Sequence, residues 1–300
     1  ELCEVLENRS VAPGHYVLKL RSRNIAKSAK PGQFVQIQCG DGDPLLPRPF
    51  SFFTSHGTEF SILYQVVGKG TKRMSRWKKK EKVSVLGPLG NGFTTSSELG
   101  ARSSETKILV GGGVGIPPLY HLAEAALKNK TTKKENIHVF LGARTKSLLL
   151  CEKDFKKLGV NLSVATNDGS KGLKGFVTSL LTSFLRPPTS DLRACIYTCG
   201  PTPMLKAVSR IAQETLTPCE VSVEVPMACG FGACLGCAIK IRTIDDRRKT
   251  IAGKDNGQKG GLSSQGGSLS SMVYGLSSSF RYAIACTEGP VFQSKDILWD

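Results

Sequence analysis

Cys229, Cys234 and Cys237 stand in the stretch Met227-Ala228-Cys229-Gly230-Phe231-Gly232-Ala233-Cys234-Leu235-Gly236-Cys237, and a fourth cysteine, Cys286, follows only after 48 further residues. If the four act together, the fold must carry the chain away and bring Cys286 back to the loop. The C-x4-C-x2-C spacing is the plant-type one for a two-iron two-sulfur cluster. Small residues suit it, because a loop wrapped around inorganic sulfide needs unusual backbone angles and inward-pointing amides. Structural zinc more often takes two short C-x2-C knuckles, whereas here one knuckle is extended upstream and the last ligand stands alone. A cluster is the first expectation and zinc the alternative. Disulfides fit less well, since Cys3, Cys39, Cys151, Cys195, Cys199 and Cys219 are scattered.

The chain of 300 residues is long enough for two or three domains, each with its own core. No apolar run approaches the roughly eighteen residues of a membrane span; the best stretch, 108–127, is broken by glycines, Pro117, Pro118, His121 and Glu124. The charge of +17 allows a nucleic acid, an acidic partner or a solvated basic surface. Its sharpest run holds Lys69, Lys72, Arg73, Arg76, Lys78, Lys79, Lys80 and Lys82 with one aromatic, Trp77. No nucleic-acid module surrounds that run, so a solvated or partner-facing surface is expected.

Residues 1 to about 101 read as short strands of a small antiparallel barrel: 17–20, 34–37, 60–67 and 82–86 are rich in β-branched and aromatic residues, with turns at Pro31-Gly32, His56-Gly57 and Gly87-Pro88. Two loops there carry chemistry. Arg48-Pro49-Phe50-Ser51 sets a permanently charged fork beside a hydroxyl, suited to a phosphate and to a polar ring edge. Gly68-Lys69-Gly70-Thr71 is a glycine-rich turn before a helix, either a phosphate cradle or an ordinary turn.

Residues 102–218 alternate strand and helix, which predicts a parallel sheet covered on both faces. Its first unit, strand 107–110, then Gly111-Gly112-Gly113-Val114-Gly115-Ile116-Pro117-Pro118, then a helix, has the dinucleotide-binding order. The third glycine of the usual fingerprint is replaced by Pro118. Ligands belong in the loops after the strands, here Gly142-Ala143-Arg144, Asn167-Asp168-Gly169-Ser170 and Cys199-Gly200-Pro201-Thr202. Within 253–279, fifteen of 27 residues are glycine or serine. Such a stretch, at about 245–280, is expected to be a disordered loop in the C-terminal segment 219–300. Closing a long loop costs free energy only logarithmically in its length, so Cys286 can still return. Deleting about 253–279 should therefore leave two irons per chain, and loss of the cluster on deletion would refute that expectation.

Together these motifs resemble the electron-transfer subunit of NAD-dependent dihydroorotate dehydrogenase, within the ferredoxin-reductase superfamily. The resemblance also rests on Leu86-Gly87-Pro88-Leu89-Gly90-Asn91-Gly92-Phe93, on Cys199-Gly200-Pro201-Thr202-Pro203-Met204 and on Cys286-Thr287-Glu288-Gly289-Pro290-Val291-Phe292. It implies an antiparallel β-barrel FAD domain, a parallel α/β NAD domain and a small C-terminal 2Fe-2S subdomain. FAD would meet Arg48, Pro49, Phe50 and Ser51, and Gly68, Lys69, Gly70 and Thr71. NAD would lie around Gly111, Gly112, Gly113, Gly115, Asp168, Cys199, Gly200 and Pro201, and the cluster on Cys229, Cys234, Cys237 and Cys286. Ser51 and Cys199 are the catalytic candidates, Ser51 at the flavin edge and Cys199 as a small residue lining a nicotinamide pocket. The partner implied is an FMN-containing catalytic subunit in a heterotetramer, in the cytoplasm; because the chain opens on Glu1 rather than Met, an organellar address stays open.

Two departures from the family pattern are the long separation before Cys286, readable as an insertion or a retained intron, and Val225-Pro226, where the family tends to carry a basic residue. Arg144 and Lys146 follow the second sheet strand with no acid at the usual ribose position, which keeps NADP chemically open. Two rival functions remain: a reductase of the same superfamily passing electrons to ferredoxin or another acceptor, and a nucleic-acid-binding protein with a structural or sensing cluster, which salt-dependent binding would reveal.

Overall fold

The computed structural model describes residues 1–40, 42–94, 106–128, 132–186, 193–243 and 279–299. The expected loop at about 245–280 therefore lies outside the described residues except at its last two, and so does the 101/102 boundary. Six strands close a barrel in the order β1-β2-β5-β4-β3-β6: β1 (Leu2–Ala12), β2 (His15–Arg21), β3 (Phe34–Ile37), β4 (Arg48–His56), β5 (Glu59–Gln65) and β6 (Lys82–Leu89). Alternate residues point inward, so Val5, Leu18, Leu20, Val35, Ile37, Phe52, Phe60, Ile62 and Tyr64 fill the barrel. Two short helices, α1 (Arg23–Ser28) and α2 (Lys69–Met74), plug its ends with Ile25 and Met74. Lysines and arginines of the basic run are exposed; Lys69 pairs with Asp43, Arg73 Nη1 donates to the Asp43 carbonyl at 2.8 Å, and Lys82 lies 3.7 Å from Glu4.

Arg48-Pro49-Phe50-Ser51 is not a loop, as the sequence suggested, but the start of β4. Proline there reads as a turn signal, yet Pro49 needs no ladder donor of its own where it faces Gln36 of β3. The strand also carries Phe50, Phe52, Phe53 and Thr54, all good strand formers.

The second unit is a seven-stranded sheet in the order β10-β9-β8-β7-β11-β12-β15. Its elements run β7 (Thr106–Gly112), α3 (Ile116–Lys128), β8 (Ile137–Ala143), α4 (Glu152–Leu158), β9 (Asn161–Thr166), β10 (Leu173–Lys174), α5 (Val177–Leu185), β11 (Ala194–Cys199), α6 (Thr202–Glu214) and β12 (Cys219–Ser222). A ribbon of β13 (Ala238–Arg242) and β14 (Phe280–Ile284) follows, and β15 (Val291–Gln293) returns antiparallel beside β12. The sheet thus continues beyond residue 218 and takes both β12 and β15 from the C-terminal segment.

Barrel and sheet share a core in which Phe53, Leu63 and Phe93 pack with Leu109, Ile116, Leu119 and Tyr197. On the other face of the sheet, Ile108, Val110 and Ile196 join Phe34 of the barrel and Cys237, Ala285 and Cys286 of the C-terminal segment. Glu220 ties the three parts: buried on β12, it accepts from the Thr94 amide at 2.9 Å and from Gln293 Nε2 at 3.1 Å. Among the described residues no helix is long and apolar enough to cross a membrane.

Candidate functional site

The Gly68-Lys69-Gly70-Thr71 turn opens α2, and Thr71 holds it. Its Oγ1 accepts from the Val67 and Gly68 amides at 3.0 and 3.2 Å. Gly68 has open space where a side chain would stand, whereas Gly70 packs on Cys39 and Pro44. Arg48, at the mouth of β4, donates from Nη1 to the carbonyls of Leu46 and Pro47 at 2.8 and 3.2 Å, leaving other donors of its fork free to face a ligand.

One cavity of about 490 Å³ collects these groups. Its barrel wall is Arg48, Pro49, Phe50, Ser51, Tyr64 and the 67–71 turn; Val114 and Cys199 enter from the sheet, and 222–227 run along it toward the cysteine loop. Cys199 ends β11, and burial pushes its thiol far above the ordinary cysteine range, so it is a neutral wall atom rather than a thiolate. Glu224 lies among the lining residues and escaped the sequence reading, since a single carboxyl after a strand carries no motif. Its side chain reaches water at the cavity mouth, yet desolvation by the walls raises its carboxyl above the usual range.

The glycines after β7 behave differently from one another. Gly113, in the left-handed region at φ +57°, has open space around it. A side chain at Gly111 would strike Leu119, and one at Gly115 would lie 2.5 Å from Cys199 and Gly200 backbone atoms. Gly112 faces Met204 and Pro201. These close approaches let the β7 turn seat against the start of α6. Asp168 stands apart, exposed after β9, with Oδ1 accepting from the Ser170 amide and hydroxyl at 3.0 and 2.7 Å; those bonds hold its carboxyl below the usual range. The Lys146 amide donates to Ser170 Oγ at 2.8 Å, which joins the rims after β8 and β9.

The structure returns Cys286 to the cysteine loop, beside Cys237. β13 begins directly after Cys237 and β14 ends two residues before Cys286, with Ala238 opposite Ile284 and the Ala285 amide donating to the Cys237 carbonyl at 3.1 Å. The ribbon register, more than loop closure, returns the fourth cysteine. Asn91 fixes it to the barrel by donating to the Thr287 and Glu288 carbonyls, both at 3.1 Å. Gly230 and Gly232 take positive φ of 80° and 90°, as does Leu235 at 55°, so the loop curls with its amides inward.

Amides address the sulfurs: Cys234 N to Cys229 Sγ at 3.4 Å, Gly232 N to Cys286 Sγ at 3.1 Å, and Cys286 N to Cys237 Sγ at 3.4 Å. The Cys234 amide, with those of Phe231 and Ala233, brings the Cys229 thiol down to about 6. Burial, and then the Cys237 thiol, pushes Cys286 up to about 12. Among the described residues no group of three or more His, Cys, Asp or Glu side chains converges as around a single ion. The contacts instead pair Cys229 with Cys234 and Cys237 with Cys286, a donor set that fits two irons bridged by sulfide.

A barrel and an α/β sheet sharing one cavity, with a four-cysteine segment packed on both, define a flavin- and nicotinamide-linked reductase of the ferredoxin-reductase type. Residues 109–210 match the oxidoreductase NAD-binding domain, and 224–251 match the iron-sulfur cluster binding domain of dihydroorotate dehydrogenase B. The chain belongs to the family of dihydroorotate dehydrogenase B (NAD(+)) electron transfer subunits. The member from Desulforamulus reducens is 35% identical over 99% of this chain and 97% of its own length; that from Fusobacterium nucleatum is 39% identical over 82% and 92%. Among solved structures, a chain of the NADH-dependent reduced ferredoxin-NADP oxidoreductase, studied for flavin-based electron bifurcation, superposes with a TM-score of 0.75 at 28% identity, over 100% of this chain and 90% of that one. The ferredoxin reductase of carbazole 1,9a-dioxygenase, at 20% identity, TM-score 0.61, 72% of this chain and 66% of its own, shares the fold.

Proposed function

We propose that this chain is the electron-transfer subunit of a dihydroorotate dehydrogenase, passing electrons from the FMN of a partner catalytic subunit to NAD in pyrimidine biosynthesis, within a heterotetramer. The observation that carries the reading is the shared cavity, where the barrel, the end of β11 and the segment leading into the cysteine loop meet. When bound, FAD would supply the exchange between the one-electron chemistry of a two-iron cluster and hydride transfer to NAD.

The chain's own residues supply position. Arg48 offers a charged fork to the pyrophosphate, and Gly68, Lys69, Gly70 and Thr71 shape the turn beside it. Pro49, Phe50 and Tyr64 wall off water, with Phe50 edge-on to Tyr64 at 5.9 Å between centroids. Ser51, on the barrel wall of the cavity, would offer its hydroxyl to the ring edge. Cys199, small and uncharged, lines the same cavity from the sheet side and would leave room for two flat rings to approach within near-attack distance. Gly112, Gly113, Gly200 and Pro201 form the rim read as the NAD side, with Gly111 and Gly115 setting the turn behind it, and Asp168 on the separate loop after β9 is read as a further NAD contact. Cys229, Cys234, Cys237 and Cys286 hold the cluster, and Phe231 and Leu235, both more than half exposed on that loop, support it as the face that meets the catalytic subunit.

Ser51→Ala is expected to slow hydride transfer by roughly tenfold or more with FAD content retained, because a donor at a charge-developing ring edge acts mainly on the transition state; stopped-flow reduction by NADH measures it, and an unchanged rate refutes the role. The deciding experiment for the whole reading is anaerobic assay of the chain with and without an FMN-containing dihydroorotate dehydrogenase subunit. NADH formation from dihydroorotate only in the mixture supports it. Rapid ferredoxin reduction by NADH, with no NADH from dihydroorotate, would favour the second reading, an acceptor reductase, which the full-length likeness to the NADH-dependent reduced ferredoxin-NADP oxidoreductase supports.

A further inference from the structure

Gln36 is the one residue of β3 whose burial its neighbours do not explain. Val35 and Ile37 point into the barrel core, and Phe34 on the outer side joins the cluster containing Cys237 and Cys286. Gln36 shares that outer side, is 1% exposed, and has no hydrogen-bond partner among the described residues at either Oε1 or Nε2. Burying both ends of an amide unpaired is costly, and native chains seldom tolerate it without a partner.

What covers the amide is the cysteine loop. A side chain at Gly230 would stand 2.6 Å from Gln36 Cγ and 2.8 Å from Nε2, so the amide rests against the backbone directly after Cys229. Gln36 itself does not line the large cavity, although Phe34 and its cross-strand neighbour Pro49 do. It therefore occupies the wall between that cavity and the cysteine loop, with its amide against the residue that follows Cys229.

We propose that Gln36 donates through Nε2 to a sulfur of the cluster held by Cys229, Cys234, Cys237 and Cys286, and thereby sets the potential at which the cluster takes an electron. This rests on the cluster reading of those four residues. An added electron increases negative charge on the sulfurs, so an N–H donor stabilises the reduced form and raises the potential. Gln36 is a positioning and tuning residue here; it touches no substrate.

The test uses the full chain purified anaerobically with its cluster, and the Gln36→Met variant, which keeps shape and burial but removes the donor. Redox titration followed by electron paramagnetic resonance should show the reduced-to-oxidised cluster ratio, at fixed ambient potential, falling about threefold to tenfold, tenfold being about 59 mV for one electron. Iron content should hold, and one exchangeable-proton coupling to the reduced cluster should vanish. An unchanged midpoint and unchanged coupling, with a higher melting temperature, would mark the amide as a mere orphan and overturn the proposal. If the methionine variant fails to load, Gln36→Leu decides: a similar downward shift supports the role, because it too removes the N–H donor without adding charge, and an unshifted potential overturns it. A wild-type chain without a two-iron signal would sink the cluster reading and this role together; a normal signal indifferent to both variants would sink this role alone.

Discussion

Cys286→Ala is expected to purify with FAD but without a two-iron cluster, and to lower dihydroorotate-driven NADH formation with a catalytic partner more than about 100-fold, since a metal site that loses one of its anchoring thiolates no longer binds with useful affinity. The reason lies in the ribbon. Cys286 is buried beside Cys237, with the Gly232 amide aimed at its sulfur, and Asn91 pins the two residues that follow it to the barrel. No other thiol stands within the ribbon to replace it; Cys199 and Cys219 are committed to β11 and β12. NADH-driven dye reduction should persist at a measurable level, because the cavity of Arg48, Ser51 and Cys199 does not include Cys286. Iron and sulfide analysis with the visible spectrum checks the first part, and paired assays check the second. Two irons per variant chain would mean that the fourth ligand is another residue.

The cysteine spacing, the glycine turn at 111–115 and the strands at 34–37 and 82–86 were legible because each is a local pattern: a ligand spacing, a turn chemistry, a run of β-branched residues. What escaped was set at long range. Residues 238–242 and 280–284 pair across 37 intervening residues, and neither run announces a partner, so the device that returns Cys286 is a register rather than a motif. β1 was missed because much of it is polar: Glu4, Glu7, Asn8, Arg9 and Ser10 interrupt the apolar positions that its first residues bury in the barrel. Pro49 hid the start of β4 for the opposite reason, a strong local signal overruled by neighbours. Glu224 and Gln36 became visible only when three segments closed around them. A polar residue gains meaning from what buries it, and burial is a property of the whole fold.

Gly115→Ala is expected to destabilise the protein by about 3 kcal/mol or more, since overpacking against backbone has no flexible side chain to give way. The added methyl would stand 2.5 Å from the Cys199 carbonyl carbon and the Gly200 Cα, and closer still to the Gly200 nitrogen. Those atoms belong to the turn that seats Cys199 in the cavity and starts α6, so relief would have to come from moving the end of β11. For a domain of this size the loss corresponds to roughly 6–12 °C in melting temperature. Gly113→Ala supplies the contrast: its φ of +57° disfavours a side chain but its surroundings are open, so about 1 kcal/mol is expected. Thermal unfolding of both variants, read beside KM for NADH, separates packing from ligand contact. Gly115→Ala with an unchanged melting temperature and a raised KM would show that this glycine is kept small for the dinucleotide rather than for the Cys199-Gly200 turn.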